Sequence, residues 1–354
     1  MAKILVIRFS AIGDVAMTVP VVHSLATQYP QHQIKVLSRP NMAALFAHLP
    51  SNVSFWGADL KGTYKGFVGL NKLFNELEAE NFDYIADFHD VIRTKYLRLR
   101  FLLHGKKVAH IDKGRKGKKA LTRPSNKVRI QQDSSFQRYA RVLDQLGLPV
   151  KIDFQSIYSN GKSDSSAFST ITGSKGTDKW IGIAPFATHT GKIYPQGFME
   201  QVIQTLDAQE GLRIFLFGGG KKEIEILTEW SNKFPSAICI AGKLKMDAEL
   251  ALMSHLDVMV SMDSGNMHLA SLVNTPVVSI WGATHPLAGF MGWNQSEENA
   301  VQVDLPCRPC SVYGNKPCFR KDYACLYNIQ PNTITQRILS IIKGSELLQQ
   351  PRKI

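Results

Sequence analysis

With 354 residues, 44% of them hydrophobic and 20% charged, the chain has the makeup of a folded soluble protein and the length for two cores. It contains no run of about 18 apolar residues, so a membrane-spanning helix is not expected. The amino terminus leads from Met-Ala-Lys-Ile-Leu-Val-Ile into polar loop residues without a signal-peptide cleavage site, which points to the cytoplasm. The formal net charge is +13, and residues 106–129 hold ten basic side chains against Asp112 alone. Such a block suits a polyanionic partner (nucleic acid, a phosphorylated substrate or an anionic membrane face) unless it is simply a solvated loop.

Residues 3–7, Lys-Ile-Leu-Val-Ile, suit a buried parallel strand, and residues 15–29 carry apolar side chains at helical spacing. The loop between them, Arg8-Phe-Ser-Ala-Ile-Gly-Asp14, allows a tight turn at Gly13 and delivers Asp14 at the helix start, as a cap or as a group facing the strand edge. It lacks G-x-G-x-x-G, so the dinucleotide fingerprint and its acidic partner are absent, which argues against a nicotinamide-dependent oxidoreductase. Further strands are expected at 34–38, 83–88 and 107–111, with a helical stretch at 41–47. Arg93 and Lys95 follow the strand ending in His89-Asp90. A long amphipathic helix over 131–146 is closed by Gly147 and Pro149. This alternation predicts a doubly wound parallel sheet.

Between residues 159 and 178 the composition turns to Ser, Gly, Lys, Asp and Thr, which marks a linker. A second α/β series follows, with strands at 180–184, 213–217, 237–241, 258–261 and 277–281. The expected division is a first Rossmann-like domain over 1–165, a second over 176–330, and a closing segment, 331–354, that carries the last helix. Each strand of the second series ends in a polar or glycine-rich loop, so these loops should crowd one rim.

On that rim the segment Val260-Ser-Met-Asp-Ser-Gly-Asn-Met-His268 reads as strand, turn and helix start. This order aims backbone N–H groups at one spot and binds anions. Asp263 can accept hydrogen bonds from sugar hydroxyls. The loop Pro185-Phe-Ala-Thr-His-Thr-Gly-Lys192 adds two hydroxyls and an ammonium that can neutralise a departing diphosphate. Gly218-Gly-Gly-Lys-Lys-Glu223 places a carboxylate for a ribose diol, and Met246 offers a thioether beside an adenine. Together these groups suit a nucleotide-sugar diphosphate. A nucleic-acid-binding protein would account for the charge alone, and no RRM, KH, zinc-finger or helix-turn-helix signature accompanies it.

In combination, Arg8-Phe-Ser-Ala-Ile-Gly-Asp-Val15, Lys192-Ile-Tyr-Pro195, Phe217-Gly-Gly-Gly220, Ala241-Gly-Lys243 and Ser261-Met-Asp-Ser-Gly-Asn-Met-His-Leu-Ala270, with Thr275-Pro-Val-Val278 and Trp281-Gly282, are specific. The chain resembles the ADP-heptose:lipopolysaccharide heptosyltransferases, glycosyltransferase family 9, from about residue 3 to residue 342. The resemblance implies a GT-B architecture, two Rossmann-like domains facing across a cleft, with the C-terminal helix returning to the first. It implies inverting transfer of heptose from ADP-heptose to a lipopolysaccharide core acceptor (Kdo/lipid A or heptose), without a metal cofactor, with another nucleotide sugar of surface-polysaccharide synthesis as the alternative. Carried over by residue, Asp14 matches the catalytic base and Lys192 the phosphate and sugar contact. Thr188 or Thr190 matches the neighbouring hydroxyl, Glu223 or Glu225 the ribose contact and Met246 the adenine contact. Asp263, Ser264, Gly265 and His268 match the diphosphate-sugar loop. Phe186, Ala187 and His189 depart from the family pattern of that first loop. Ser10, Lys61, Arg93, Lys95 and Arg115 are the expected acceptor contacts, which would bring the enzyme peripherally onto the inner face of the membrane, with no nucleic-acid partner.

The cysteines are a second departure. Cys307, Cys310, Cys318 and Cys325 follow a C-x2-C-x7-C-x6-C spacing, and Cys239 stands alone in a strand. In a cytoplasmic protein such a set is read as structural zinc or as reduced, packed thiols.

Overall fold

The computed structural model describes residues 1–349, with residues 345–349 described by their backbone alone. The chain divides into two compact units: Met1–Arg115 with Asp133–Ile157, and Lys116–Gln132 with Tyr158–Ile354.

In the first unit, β1 (Lys3–Ile7), β2 (Gln33–Ser38), β3 (Val53–Gly57), β4 (Tyr84–Asp87) and β5 (Lys107–His110) form one parallel sheet in the order β3-β2-β1-β4-β5. The apolar run of β1 is central, with Ile4 to Ile7 fully buried, because a parallel strand covered on both faces has no polar side. Its helices are α1 (Ile12–Ala16), α2 (Val19–Gln28), α3 (Gly66–Ala79), α4 (Ile92–Leu103) and α6 (Ser135–Gln145), whereas α5 (Arg115–Leu121) belongs, after Arg115, to the second unit. Leu70, Leu73, Phe74 and Leu77 of α3 and Leu97 and Phe101 of α4 join Leu5, Ile7 and Ile85 in one core. Strand order reverses between β1 and β4, so the loops after these two strands flank the switch point, where open α/β sheets place ligands.

The second unit repeats the plan. β6 (Lys179–Ala184), β7 (Leu212–Leu216), β8 (Ala237–Cys239), β9 (Val258–Met262), β10 (Val277–Ile280) and β11 (Ala300–Val301) pair in the order β11-β10-β9-β6-β7-β8, every pairing parallel. Here the order reverses between β6 and β9. The helices are α7 (Ser169–Thr172), α8 (Gln196–Asp207), α9 (Lys221–Lys233), α10 (Met246–Met253), α11 (Gly265–Leu272), α12 (Ala324–Tyr327) and α13 (Pro331–Gln349). Two doubly wound parallel sheets make this the GT-B class expected from the sequence.

Ile334, Ile338 and Ile342 of α13 are buried in the second unit's core, where their four-residue spacing forms an apolar stripe. The basic block is split. Residues 106–115 stay with the first unit, while 116–132 are tied into the second. There Lys127 Nζ reaches the Pro309 carbonyl at 2.8 Å, and Arg129 donates to Asp304 Oδ1 and to the Leu305 and Arg308 carbonyls. Lys118 is buried with its ammonium 4.1 Å from the centre of the Phe290 ring. The block is therefore not one solvated patch.

Candidate active site

At the switch point of the first sheet, the turn after β1 carries Asp14 at the start of α1. Asp14 Oδ2 accepts the Ala11 N–H at 3.1 Å, which caps the short helix. Arg8, buried directly after β1, brings Nη2 to 2.7 Å from the same oxygen, while its Nη1 donates to the Phe88 carbonyl at 2.7 Å. The Tyr139 hydroxyl of α6 donates to the Asp14 carbonyl at 3.2 Å. The Asp14 side chain keeps 34% of its surface exposed, so a fixed carboxylate still meets solvent or substrate.

The turn after β4 is organised by Asp87, which is completely buried. Its Oδ1 accepts the His89 and Asp90 N–H groups, both at 2.9 Å, and its Oδ2 pairs with Arg98 at 3.1 Å. His89 is thereby held with Nδ1 3.4 Å from the Phe9 N–H and Nε2 3.5 Å from Ser10 Oγ. Burial, reinforced by the Arg8 and Lys113 charges, lowers the His89 pKa to about 3, so its imidazole is neutral at ordinary pH. Lys113 donates to the Asp90 carbonyl, and Lys95 and Arg115 approach the Asp90 carboxylate at 3.7 and 3.5 Å. Ser10, Arg93, Lys95 and Arg115 thus lie at or just beyond the β1, β4 and β5 edges. Lys61, exposed, lies in the loop after β3.

At the switch point of the second sheet, Lys192 from the loop after β6 places Nζ 3.0 Å from Oδ2 of Asp263, the residue following β9. Asp263 is 4% exposed. Three glycines set this pair in place. Ala283 N–H donates to the Gly191 carbonyl at 2.8 Å, and a Cβ at Gly191 would lie 2.9 Å from the Gly314 carbonyl oxygen. A Cβ at Gly282 would meet the Gly191 carbonyl at 2.6 Å, and one at Gly314 would collide with the Lys192 stem. Gly314 also has φ +74°, a conformation that favours glycine. The loop containing the cysteines therefore buttresses Lys192.

Beside the pair, Ser264 precedes α11, its hydroxyl 3.2 Å from that of Ser261, and Gly265 opens the helix, whose amino end carries the positive pole of the helix dipole. His268 is buried one turn further on. Thr190 starts the short turn that ends at Lys192, and Thr188 is exposed nearby in sequence. Glu223, on the first turn of α9, accepts the Gly219 N–H at 2.8 Å and so braces the glycine loop, while Glu225 pairs with Lys221 on the same helix. Met246 begins α10, half-buried.

The sequence reading gave no role to Arg8, Asp87, His89, Arg98, Glu249 or Arg308. Burial pushes the Glu249 carboxyl up to about 7. Arg308, 2% exposed, donates to the carbonyls of Gly282, Trp281, Thr284 and Val303, which ties down the loop after β10. For Arg8 and Asp87 a signal existed: a charge at the edge of an apolar strand is costly to bury unless paired. The five cysteines are free thiols. Burial raises the Cys325 pKa to about 11. Among the described residues no group of three or more His, Cys, Asp or Glu side chains is arranged to hold a metal ion.

Comparison with known proteins agrees with this picture. A lipooligosaccharide heptosyltransferase 2 from Campylobacter jejuni serotype O:2 is 26% identical over 212 residues, spanning 57% of this chain and 59% of that protein. Its counterpart from serotype O:6 is 23% identical over 337 residues, covering 92% of this chain and 95% of the relative. The solved structure of the E. coli ADP-heptose LPS heptosyltransferase II superposes with a TM-score of 0.69 at 18% identity, over 97% of this chain and 99% of that one. The model of glycosyltransferase family 9 (heptosyltransferase) matches residues 70–318, from α3 through the loop that buttresses Lys192. The chain belongs to glycosyltransferase family 9, the heptosyltransferases.

Proposed function

We propose that this enzyme transfers heptose from ADP-heptose to a lipopolysaccharide core acceptor, with inversion at the anomeric carbon. The observation that carries the reading is the Lys192–Asp263 pair at the second sheet's switch point, beside the α11 amino terminus. A cation, a buried carboxylate and a helix start together suit a sugar linked to a diphosphate. In this reading Lys192, Thr188, Thr190 and the 263–265 turn hold the diphosphate and sugar, Glu223 the ribose and Met246 the adenine, with His268 behind the turn. Asp14 accepts the proton of the acceptor hydroxyl as its oxygen attacks the anomeric carbon. The bond to the diphosphate breaks, and ADP leaves with its developing charge met by Lys192. Neither step calls on a metal ion. Ser10, Lys61, Arg93, Lys95 and Arg115 meet the anionic acceptor, on the cytoplasmic face of the inner membrane. The sugar and acceptor class are those of the Campylobacter and E. coli relatives, named for heptose transfer to lipooligosaccharide or lipopolysaccharide.

The test is a donor screen with ADP-, UDP- and GDP-sugars on a deacylated core acceptor. Products are read by mass spectrometry and the anomeric configuration by NMR. ADP-heptose should be the preferred donor and the product should be inverted. Preference for a UDP- or GDP-sugar, or retention, overturns the reading.

A further inference from the structure

α4 is apolar on both sides. Thr94, Leu97 and Phe101 face the core, and on the opposite side Ile92, Leu99, Leu102 and Leu103 are 88%, 55%, 59% and 73% exposed. A helix covering a sheet ordinarily turns polar residues outward. Positions 92, 99 and 103, three or four residues apart or in multiples of this spacing, line one stripe about 18 Å long. The stripe continues onto the start of α3. Phe67 and Val68 are 70% and 83% exposed, and the Phe67 ring stands edge-on to Tyr96 of α4 at 4.8 Å. Contiguous exposed apolar side chains mark a contact surface, whereas scattered ones do not.

The surrounding charge selects the occupant. Lys65, Arg93 and Lys95 are exposed around the amino ends of α3 and α4. Of the neighbouring carboxylates, Asp90 lies 3.7 Å from Lys95, while Glu76 accepts from the Tyr64 hydroxyl and Glu78 pairs with His104, so the surface stays net basic. A second copy would meet this patch through a two-fold contact that sets the same cations against each other. An anionic bilayer offers phosphates to the cations and an acyl boundary to the stripe.

We propose that the outer face of α3 and α4 is a lipid-contact surface, with the Ile92–Leu99–Leu103 stripe entering the headgroup boundary of an anionic bilayer. The stripe starts three residues beyond His89, so the membrane would meet this unit beside the loops assigned to the acceptor. The inference rests on reading the acceptor as a membrane-held sugar, and the experiment separates the two.

Binding of the full chain is measured by co-sedimentation with phosphatidylcholine vesicles, with and without phosphatidylglycerol. Binding should require the anionic lipid and weaken with salt. The variant Ile92→Ser/Leu99→Ser/Leu103→Ser should bind at least about tenfold more weakly, since each buried aliphatic side chain is worth roughly that factor. Its melting temperature and its transfer to a deacylated, soluble acceptor should stay unchanged. Undiminished vesicle binding by the variant overturns the proposal. So does a concentration-dependent dimer, seen by ultracentrifugation, that the variant abolishes. If vesicle binding falls in the variant while neither protein transfers sugar to the soluble acceptor, the lipid surface stands and the substrate reading falls.

Discussion

Arg8 forks between two strand ends: Nη2 lies 2.7 Å from Asp14 Oδ2 and Nη1 lies 2.7 Å from the Phe88 carbonyl oxygen. The planar guanidinium thereby fixes the turn carrying Asp14 to the turn carrying His89, across the point where the strand order reverses. A lysine keeps the charge but not the fork. Arg8→Lys should lower kcat by about tenfold or more, the loss of one charge-assisted hydrogen bond, with donor KM little changed. Asp14→Asn should lower kcat by roughly 10²–10⁴ while ADP affinity and fold persist. Steady-state kinetics with calorimetry check both, and near-normal turnover of Asp14→Asn would return that residue to helix capping.

Lys192 meets the donor in ground and transition states alike, so Lys192→Ala should weaken ADP-sugar binding and slow transfer together. Gly314→Ala gives an independent reading, because it leaves every proposed contact residue in place. Its methyl group would collide with the Lys192 stem, and φ +74° strains any side chain there. The expected result is a loss of about 1 kcal/mol or more in stability and a several-fold lower kcat/KM for donor. A variant with wild-type donor kinetics would show that Lys192 does not depend on this loop.

Most strands were legible because buried parallel strands are unbroken apolar runs, and their loops because Gly gathers with Asp, Ser or Thr where β1, β6 and β9 end; β3, half-exposed, and the two-residue β11 carry no such run and were missed. Strand order was not legible. Nothing in the local pattern says that β1 pairs with β4 or β6 with β9, yet these pairings bring Arg8 to Phe88 and Lys192 to Asp263. The isoleucine stripe of α13 likewise marks a buried face without naming its partner. Lys118 carries the same lesson. In sequence it is one cation of a basic run, whereas in the fold it lies against Phe290.

The buried titrating groups give stability a definite pH profile. The His89 pKa is lowered to about 3 and that of His285 to about 4, both chiefly by burial. Below the ordinary histidine value of 6.5 the unfolded chain takes up protons that the folded chain refuses. Stability therefore falls as pH drops from there toward the folded values. Glu249, raised to about 7 by burial, acts oppositely: the folded chain keeps its proton, and stability falls as pH rises from about 4.5 to 7. Two histidines outweigh one carboxyl between about 4.5 and 6.5, so these groups place maximum stability near pH 6.5. Urea unfolding across this range checks the sum. His285→Asn should flatten the acid side and Glu249→Gln the neutral side. Curves parallel to wild type in both variants would contradict the assignment.

The basic segment makes a prediction that separates charge from packing. Lys116 and Lys119 are exposed, while Lys118 is buried against Phe290. If the exposed cations attract an anionic acceptor, Lys116→Gln/Lys119→Gln should raise acceptor KM and shrink its dependence on salt, whose screening length is about 10 Å at 0.1 M. Donor KM and melting temperature should not move, since neither side chain is packed. Lys118→Gln should behave in the opposite way: it removes a partly desolvated cation–π contact worth roughly 0.5–2 kcal/mol. The loss should appear as a lower melting temperature, with little change in the salt dependence of the acceptor KM. If all three substitutions act alike, either on KM or on stability, the division of this block into a packed residue and its exposed neighbours is wrong.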